Sequence, residues 1–396
     1  SPDGQISSAI THMPEMKIRF RHTAHLIAIL ALAFPVLGQS DLSDFTHYTT
    51  RDGLSNSHIR GICQDSNGFV WISTDYGLNR FDGTSFINLT SINEDFKSAD
   101  QGINNAKYLG HGLLGIGTQY GAYILHTNNY DLQPLRPEVD ENLKNWAYHI
   151  MDFGTDGQGH FGLSTKTGFY VMDGSGNITD QLRFYTVADI GKSWMLYGRD
   201  VMTLPDGRMV QVTSEGYNVF EPGTGKITTA KPIPFPEQAI IDKDPETDLL
   251  SVKADIGALL SVNEHILVLH QYSSGITLRC SLPAELSGNL SWRSEIYTYN
   301  DSTLIITGNK GFYRAYYDFT SQTIRIDTHL SMPELAITSM FIDQESRMWI
   351  GTDQGLYKEN SEPIITQYRV QLSPGMSPPV IRFLEHHGLY WYVCTK

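Results

Sequence analysis

A unit of four short strand-like segments repeats along most of the chain. In each unit an apolar segment passes through a polar turn, such as Leu204-Pro205-Asp206-Gly207, into a second apolar segment that ends in Gly-Thr or Ser-Thr. A glycine then begins a third, often aromatic segment, for example Gly168-Phe169-Tyr170-Val171, and a polar fourth segment closes the unit. Short apolar runs separated by turn residues predict antiparallel strands, and helical periodicity is nearly absent.

The repeat is about 46 residues long, a length typical of one supersecondary unit. The segment from Ile59 to Leu78 has a near copy from Ile337 to Leu356. The glycine that begins the third segment recurs at Gly77, Gly121, Gly168, Gly216, Gly311 and Gly355. The gap after Gly216 is about twice the others, which predicts a further unit around residues 242–269, with Asp255-Ile256-Gly257 near its centre.

Four short strands repeated at this spacing are typical of propeller blades. The fold class predicted is all-β: a seven-bladed β-propeller of four-stranded antiparallel blades at residues 58–379. Residues 380–396 are interpreted as the truncated start of a following repeat, and the chain as part of a longer protein. Residues 39–57 are expected to form a linker with a strand at Phe45–Thr50. This strand is a candidate for the outer strand that closes the ring, because a free edge strand invites aggregation.

The beginning of the chain has the features of an export signal. In residues 16–38, basic residues precede an apolar run, and Gly38 is a small residue suited to cleavage. We interpret this segment as a secretory signal peptide and residues 1–15 as an upstream extension. A retained membrane anchor is the alternative, disfavoured because the apolar run is short and contains Pro35.

Composition narrows the classes of function. The chain has 29 Lys and Arg against 43 Asp and Glu, a net charge of −14, which argues against nucleic acid as a partner. Its hydrophobic content of 40 % excludes a disordered chain. Cys63, Cys280 and Cys394 lie in apolar strand-like runs, and we expect buried thiols rather than disulfides.

The sequence lacks the usual motifs of catalytic and cofactor sites. Glycines within residues 115–121 depart from the dinucleotide fingerprint, and His386-His387 lacks further ligands at metal-binding spacing. We therefore expect no cofactor, no metal ion and no catalytic residue. Trp71, Trp349 and Trp391 are expected to pack between blades, and Asp65 to stabilise its turn.

The first and last complete units resemble the two-component regulator propeller repeat. The resemblance rests on Asp52-Gly53-Leu54-Ser55-Asn56, Asp65-Ser66-Asn67-Gly68, Trp71-Ile72-Ser73-Thr74 and Gly77-Leu78, and on Trp349-Ile350-Gly351-Thr352 with Gly355-Leu356. It departs from the family at Ser73, where the family usually has Gly, and the middle units match only in outline.

This resemblance implies the periplasmic sensor region of a Bacteroidetes hybrid two-component system. In that family two propellers precede an immunoglobulin-like domain, an inner-membrane helix, a histidine kinase and a regulator, and members detect oligosaccharides released from polysaccharides. The resemblance therefore implies a glycan ligand, a following propeller and immunoglobulin-like domain as partners, and a homodimeric receptor. Kinase activity would belong to the full-length protein, because no residue of this chain matches the kinase motifs.

Propeller architecture suggests where a ligand would bind. Segments that lead into the innermost strands converge at one end of the channel, and their polar and aromatic residues suit sugars. The candidate ligand-binding residues are His58, Asn105, Trp146, Tyr197, Arg199, Trp292 and Arg293, with Asn56, Asn104, Asn145 and Ser291 beside them. Alternatively, these residues seal the channel or contact the next domain.

Two other functions stay open at this stage. A propeller glycosidase or lyase would need a pair of carboxylates on the channel face, and Asp200 is the candidate to consider. A protein-interaction scaffold, which could also dimerise, is the third hypothesis.

Overall fold

The structure is a computed structural model that describes residues 42–89, 102–118, 120–135, 137–139, 141–144, 148–183, 200–204, 206–213, 216–230, 249–255, 258–263, 266–271, 273–290, 294–360, 381–387 and 390–395. The predicted upstream extension and signal peptide lie outside these residues. The chain divides into two compact units, of which the first ends at Glu359 and the second begins at Asn360.

Seven four-stranded antiparallel sheets lie within the described part of the first unit. Sheet 1 contains β2 (Ile59–Gln64), β3 (Val70–Thr74), β4 (Gly77–Phe81) and β5 (Phe86–Asn88). Sheet 2 contains β6 (Ile103–Gly110), β7 (Leu113–Thr118), β8 (Ala122–His126) and β9 (Leu132–Leu135). Sheet 3 contains β10 (Ile150–Thr155), β11 (His160–Thr165), β12 (Gly168–Asp173) and β13 (Ile178–Arg183). Sheet 4 contains β14 (Val201–Thr203), β15 (Met209–Thr213), β16 (Gly216–Glu221) and β17 (Lys226–Ala230). Sheet 5 contains β18 (Leu249–Asp255), β19 (Ala258–Asn263), β20 (Ile266–Gln271) and β21 (Thr277–Ser281). Sheet 6 contains β22 (Ile296–Asn300), β23 (Thr303–Thr307), β24 (Phe312–Asp318) and β25 (Thr323–Ile326). Sheet 7 combines β26 (Ile337–Ile342), β27 (Met348–Thr352) and β28 (Leu356–Glu359) with the N-terminal strand β1 (Phe45–Tyr48).

Within the described residues, helical structure is limited to short segments. A single turn of α-helix, α1 (Ala284–Ser287), follows β21, and 3-10 turns lie at Leu42–Asp44, Thr50–Asp52 and Glu141–Leu143. No helix in the described part of the chain is long and apolar enough to cross a membrane.

The sheets form a closed ring. The innermost strand of each sheet contacts the innermost strand of the next, from β2 through β6, β10, β14, β18 and β22 to β26, and β26 contacts β2 again. Antiparallel four-stranded sheets arranged in this way form a β-propeller. The predicted all-β propeller architecture is therefore confirmed.

The N-terminal strand β1 completes sheet 7. It pairs antiparallel with β28, with Phe45 opposite Glu359 and Tyr48 opposite Leu356. The predicted role of this segment as the closing outer strand is confirmed, although the strand ends at Tyr48 rather than at Thr50. The shortening arises because Thr49 caps a 3-10 turn, in which its backbone N–H donates to Oδ2 of Asp52 at 2.8 Å.

The repeated tryptophans pack between sheets, as expected. Trp71 is fully buried and packs in a cluster with Leu114 of sheet 2, whereas Trp349 packs in a cluster with Ile59 of sheet 1. Each tryptophan therefore belongs to one sheet and fills the space against the next. The side chain of Trp391 lies outside the described residues.

The repeated glycines occupy positions that other residues adopt with strain. Gly77 has a φ of 107° and Gly355 a φ of 140°, both in the left-handed region. A Cβ atom at Gly355 would lie 2.5 Å from the carbonyl oxygen of Tyr48 in the closing strand. The expectation of an unusual backbone conformation and a close approach is confirmed at Gly355.

The unit predicted around residues 242–269 lies further along the chain. Sheet 5 runs from Leu249 to Ser281, and Asp255 ends β18 while Ala258 begins β19. The segment taken as the centre of the unit therefore connects its first two strands. Its third strand, β20, begins at Ile266 without the glycine that begins or precedes this strand in the other six sheets, so the unit lacks the signal that marks the other repeats.

Two of the cysteines are described as free thiols. Cys63 is buried, and this burial raises the pKa of its thiol to about 12. Cys280 is only half-buried because β21 is the outermost strand of its sheet. The expectation of a buried thiol is confirmed for Cys63, whereas the thiol of Cys280 is more exposed than expected.

The second unit contains one antiparallel strand pair within its described residues. Strands β29 (Ile381–His387) and β30 (Tyr390–Thr395) pair with Ile381 opposite Thr395. This hairpin matches the first two strands of a repeat in order and direction.

Candidate ligand-binding cavity

A cavity of about 710 Å³ lies among the innermost strands of the ring. Its described lining comes from β2, β6, β10, β14, β22 and β26 and from the residues immediately before them. A volume of this size is in the range of small-molecule sites. The innermost strands can thus present side chains from most of the sheets to one bound molecule.

A β-bulge recurs at the second residue of the innermost strand in sheets 1, 2, 3 and 7. The extra residues are Arg60, Asn104, Met151 and Thr338, and all four line the cavity. A bulge bends a strand and redirects one side chain. The repeat therefore contains a local device that supplies side chains of different chemistry to the cavity wall.

Two of these bulge residues join neighbouring sheets. Thr338 Oγ1 donates to the carbonyl oxygen of Ile59 at 2.7 Å, and Asn104 Nδ2 donates to the carbonyl oxygen of Ile150 at 3.2 Å. Each bond links one innermost strand to the first residue of the next. The cavity wall is consequently stiffened by its own polar side chains.

Lys107 and Asp152 form the densest polar cluster of the wall. Lys107 Nζ donates to Asp152 Oδ2 at 3.0 Å and to the carbonyl oxygens of Phe153 at 2.8 Å and Val201 at 2.9 Å. Asp152 also accepts from Asn105 Nδ2 and from the backbone N–H of Val201, both at 2.8 Å. This cluster joins sheets 2, 3 and 4, and it occupies all three ammonium donors of the lysine.

Glu295 and Tyr297 form another part of the cavity wall. Tyr297 OH donates to Glu295 Oε2 at 2.6 Å and accepts from the backbone N–H of Met340 at 3.2 Å. Burial raises the pKa of Tyr297 well above its usual value, and the negative charges of Glu295 and Asp200 raise it further. The phenol is therefore protonated at neutral pH and acts as a hydrogen-bond donor, not as a base.

The two described candidate residues occupy different positions. Asn105 lines the cavity, where it holds Asp152. His58 is outside the described lining, with its Nδ1 3.1 Å from Oδ2 of Asp75. Arg60, which does line the cavity, shares this carboxylate through a bond of 2.5 Å from its Nε to Oδ1. His58 is thus linked to the cavity through Asp75 and Arg60.

The other candidates lie outside the described residues: Trp146, Tyr197, Arg199, Trp292 and Arg293, together with Asn145 and Ser291. Their assignment to a ligand site stays a prediction. Among the described residues no group of three or more His, Cys, Asp or Glu side chains is placed to hold a metal ion. The structure does not describe the side chains of His386 and His387.

The sequence interpretation missed Lys107, Asp152, Glu295 and Tyr297. A usable signal was present in the strands themselves. Lys107 stands in the innermost strand Ile103–Gly110, and Asp152 stands in Ile150–Thr155, where charged residues interrupt apolar runs. A charge at such a position has to find a partner across the channel or at the neighbouring sheet.

A family model described as the two component regulator propeller matches residues 53–76 and 331–354. These segments contain the first hairpin of sheet 1 and the first hairpin of sheet 7, including their Asp-containing turns. Two segments of the chain therefore match the two-component regulator propeller repeat. No curated protein gives a significant match to the sequence.

Solved structures support the propeller fold. The extracellular domains of two hybrid two component systems of B. thetaiotaomicron, BT4673 and BT3049, each align with a TM-score of 0.55. Their identities are 18 % and 16 %, and the alignments cover 81 % and 88 % of this chain. This chain spans only 40 % and 46 % of those two domains.

Propellers of other kinds also align. A streptogramin B lyase gives a TM-score of 0.55 at 12 % identity, with 79 % of this chain and 95 % of the lyase covered. YCF48 bound to D1 peptide gives 0.54 at 14 % identity, with 82 % and 99 % covered. At these identities the similarity establishes a shared propeller fold.

Proposed function

We propose that this regulator propeller is a non-catalytic, extracytoplasmic sensor module of a hybrid two-component system. It binds an oligosaccharide released from a polysaccharide and relays binding to a kinase outside this chain. The observation that carries the proposal is the occurrence of the regulator repeat in a ring whose innermost strands enclose a polar-walled cavity. Export by the leader at residues 16–38 and an inner-membrane anchor elsewhere in the full protein belong to the same proposal.

The chemistry of the cavity suits a sugar. Asn104 and Thr338 each use one donor within the wall. The amide of Asn104 has a second N–H and an oxygen, and the hydroxyl of Thr338 is also an acceptor, beside apolar side chains such as Met151. Carbohydrates bind through such a mixture of hydrogen bonds and apolar contacts. Because Lys107 already uses its three donors within the wall, it contributes to the shape of the cavity and not to ligand binding.

The binding test uses isothermal titration of the chain with oligosaccharides of plant and host polysaccharides. Ser339 lines the cavity, and Ser339→Trp places a large side chain into it. We expect this variant to lose the binding that the wild type shows. Ser175→Trp, in an exposed turn, is the matched control and retains binding. Equal affinity of Ser339→Trp and wild type would exclude the cavity as the ligand site.

The proposed relay to a kinase is tested by sequencing the gene beyond the codon for Lys396. A second series of regulator repeats, a membrane helix and a kinase domain encoded after Lys396 is the expected result. A stop codon soon after Lys396 would contradict the sensor proposal. The partners proposed for the full-length protein are a following propeller, an immunoglobulin-like domain and a second copy of the receptor.

A lyase or glycosidase is the second candidate function. One observation favours it: Asp200 and Glu295 both line the cavity, as an acid–base enzyme with a propeller fold would require. The protonated Tyr297 beside them supplies no base. Release of reducing ends or unsaturated products from a polysaccharide panel, lost in Glu295→Gln, would replace the sensor proposal with this one.

A further inference from the structure

Two tyrosines stand out on the surface of the ring. Tyr76 is 65 % exposed and Tyr120 is 55 % exposed, and they are the exposed large hydrophobic side chains among the described residues. Other large apolar side chains in that part of the chain are buried or half-buried. Exposure of a single apolar side chain is common, so the positions of these two in the repeat decide whether they have a role.

The tyrosines occupy equivalent turns in adjacent sheets. Tyr76 lies between β3 and β4 of sheet 1, and Tyr120 lies between β7 and β8 of sheet 2. The backbone N–H of Tyr76 donates to Thr74 Oγ1 at 3.2 Å, and that of Tyr120 donates to Thr118 Oγ1 at 2.9 Å. Each threonine hydroxyl also donates to the carbonyl oxygen of the following glycine. Both aromatic rings are thus presented on the same fixed turn.

The fold does not require an aromatic residue at this position. Sheet 3 has Thr167 there and sheet 7 has Gln354, and their backbone N–H groups make the same bond to the preceding threonine hydroxyl at 3.1 Å. A packing role would also bury the rings, as it buries Trp71 and Trp349. The two tyrosines are therefore additions to the repeat.

Both turns lie at the end of the ring where the innermost strands begin. The backbone N–H of Asp75 donates to the carbonyl oxygen of His58 before β2, and the backbone N–H of Gly102 before β6 donates to that of Asp75. Asp75 also binds Arg60 of the cavity lining. In sheet 2, Thr118 at the start of the equivalent turn pairs with Ile103, the first residue of β6. The tyrosines therefore stand at the end of the ring where Arg60 and Asn104 join the cavity lining, and we call this end the cavity mouth.

We propose that Tyr76 and Tyr120 form an aromatic rim that binds a neutral oligosaccharide on its way into, or across, the cavity mouth. This inference rests on the proposed function and specifies its substrate class and an additional subsite. Tyrosine rings stack on the apolar faces of pyranose sugars, while their hydroxyls bond to sugar hydroxyls. The chain's net charge of −14 disfavours a polyanionic glycan.

A protein partner fits this surface less well. Two tyrosines exposed to this extent offer on the order of 250 Å² of aromatic surface. A stable protein interface buries about 800 Å² on each partner and has a continuous apolar core. Next to Tyr76 in the chain, Asp75 instead forms ion pairs with His58 and Arg60, which is not the chemistry of an apolar interface core.

The test is titration of the whole chain with neutral tetra- and pentasaccharides, such as malto-, cello-, xylo- and mannooligosaccharides, and with uronate-containing oligosaccharides of equal length. Tyr76→Ala and Tyr120→Ala are each expected to weaken binding of the neutral ligand about fivefold, because a stacking contact is lost. Tyr76→Phe and Tyr120→Phe keep most of the affinity. Gln354→Ala, at the same turn position in sheet 7, is the matched control and binds like the wild type.

The outcomes distinguish the inference of an aromatic rim from the broader proposal of glycan sensing. If the wild type binds a neutral oligosaccharide and both alanine variants bind it equally well, the rim inference is overturned while glycan sensing stands. If the wild type binds none of the neutral oligosaccharides, or only uronate-containing ones, the rim inference is overturned, and absence of all binding contradicts glycan sensing as well. Protection of Tyr76 and Tyr120 from nitration by the bound neutral ligand, read by mass spectrometry, supports the rim independently.

Discussion

The indole Nε1 of Trp71 donates a hydrogen bond of 2.8 Å to Oδ2 of Asp65 across the turn that joins β2 and β3. Oδ1 of the same carboxylate accepts from the backbone N–H groups of Asn67 at 2.9 Å and Phe69 at 3.1 Å. One buried aspartate therefore fixes both the turn and the side chain that fills the space against the next sheet. The same bond joins Trp349 to Asp343 in sheet 7 at 2.8 Å.

Asp65→Ala is expected to lower the free energy of unfolding by about 3 kcal/mol, because it leaves a buried indole N–H and two turn N–H groups without their acceptor. The measurement is chemical denaturation. Asp173→Ala is the matched control, since Oδ1 of Asp173 accepts from the second and fourth following N–H groups in the same way but its turn is exposed. A similar loss in both variants would mean that the bond to tryptophan adds nothing.

Ring closure depends on a glycine in sheet 7. A Cβ atom at Gly355 would lie 2.5 Å from both Nε2 of His47 and the carbonyl oxygen of Tyr48. We expect Gly355→Ala to displace β1, to destabilise the ring by about 3 kcal/mol and to increase hydrogen exchange at residues 45–48.

The control for this substitution separates strain from the clash. Gly83 has a φ of 101°, but a Cβ there meets no atom within 4 Å. Gly83→Ala should therefore cost only about 1 kcal/mol and leave exchange in β1 unchanged. Equal exchange in β1 for both variants and wild type would show that the strand tolerates the added methyl group.

The propeller could be predicted from sequence because its signals are local and repeated. Turn aspartates and strand-starting glycines recur in most units, inter-sheet tryptophans mark the first and last units, and each has one physical reason for its position. The closing strand Phe45–Tyr48 was also predictable, since a ring with a free edge is unfavourable. Sheet 5 was misplaced because its third strand, β20, begins at Ile266 without the glycine that begins or precedes this strand in the other six sheets.

The cavity wall was harder to predict because its chemistry arises between units. Asn105 was identified as a channel residue, but its partner Asp152 belongs to the next sheet. No local sequence pattern predicts that Lys107 donates a hydrogen bond to Val201, which lies two sheets away. Such contacts follow from the ring geometry and from bulges that depend on strand register, which a repeat pattern alone does not fix.

Lys107 should be important for stability rather than for ligand recognition. Lys107→Met leaves the carboxylate of Asp152, which is 11 % exposed, without its cation, and removes a bond to each of two carbonyl groups. We expect a loss of about 2 kcal/mol in the free energy of unfolding. The value is modest for a charge pair because the lysine side chain is 40 % exposed.

A double-mutant cycle measures the coupling within this cluster. Lys107→Met combined with Asp152→Asn should cost less than the sum of the two single substitutions, with a coupling energy of about 1 kcal/mol. The singles and the double are compared by denaturation at one pH and one salt concentration. Strict additivity would mean that the two side chains do not stabilise one another.

Mild acid should destabilise the ring through His149, which precedes the innermost strand β10. Burial lowers the pKa of His149 to about 4, and the positive charge of Lys166 acts in the same direction. In the unfolded chain a histidine has a pKa of about 6.5. Below that value the unfolded state takes up a proton that the folded state does not bind, so stability is highest above pH 6.5 and falls as the pH decreases towards 4.

Between pH 7.5 and pH 5.0 this difference corresponds to a loss of about 1–2 kcal/mol in the wild type. His149→Gln removes the titrating group and should remove that part of the pH dependence, whatever its own effect on stability at pH 7.5. The measurement is urea denaturation of both proteins at the two pH values. Equal losses in the two proteins would place the acid sensitivity elsewhere, because only the histidine at position 149 distinguishes them.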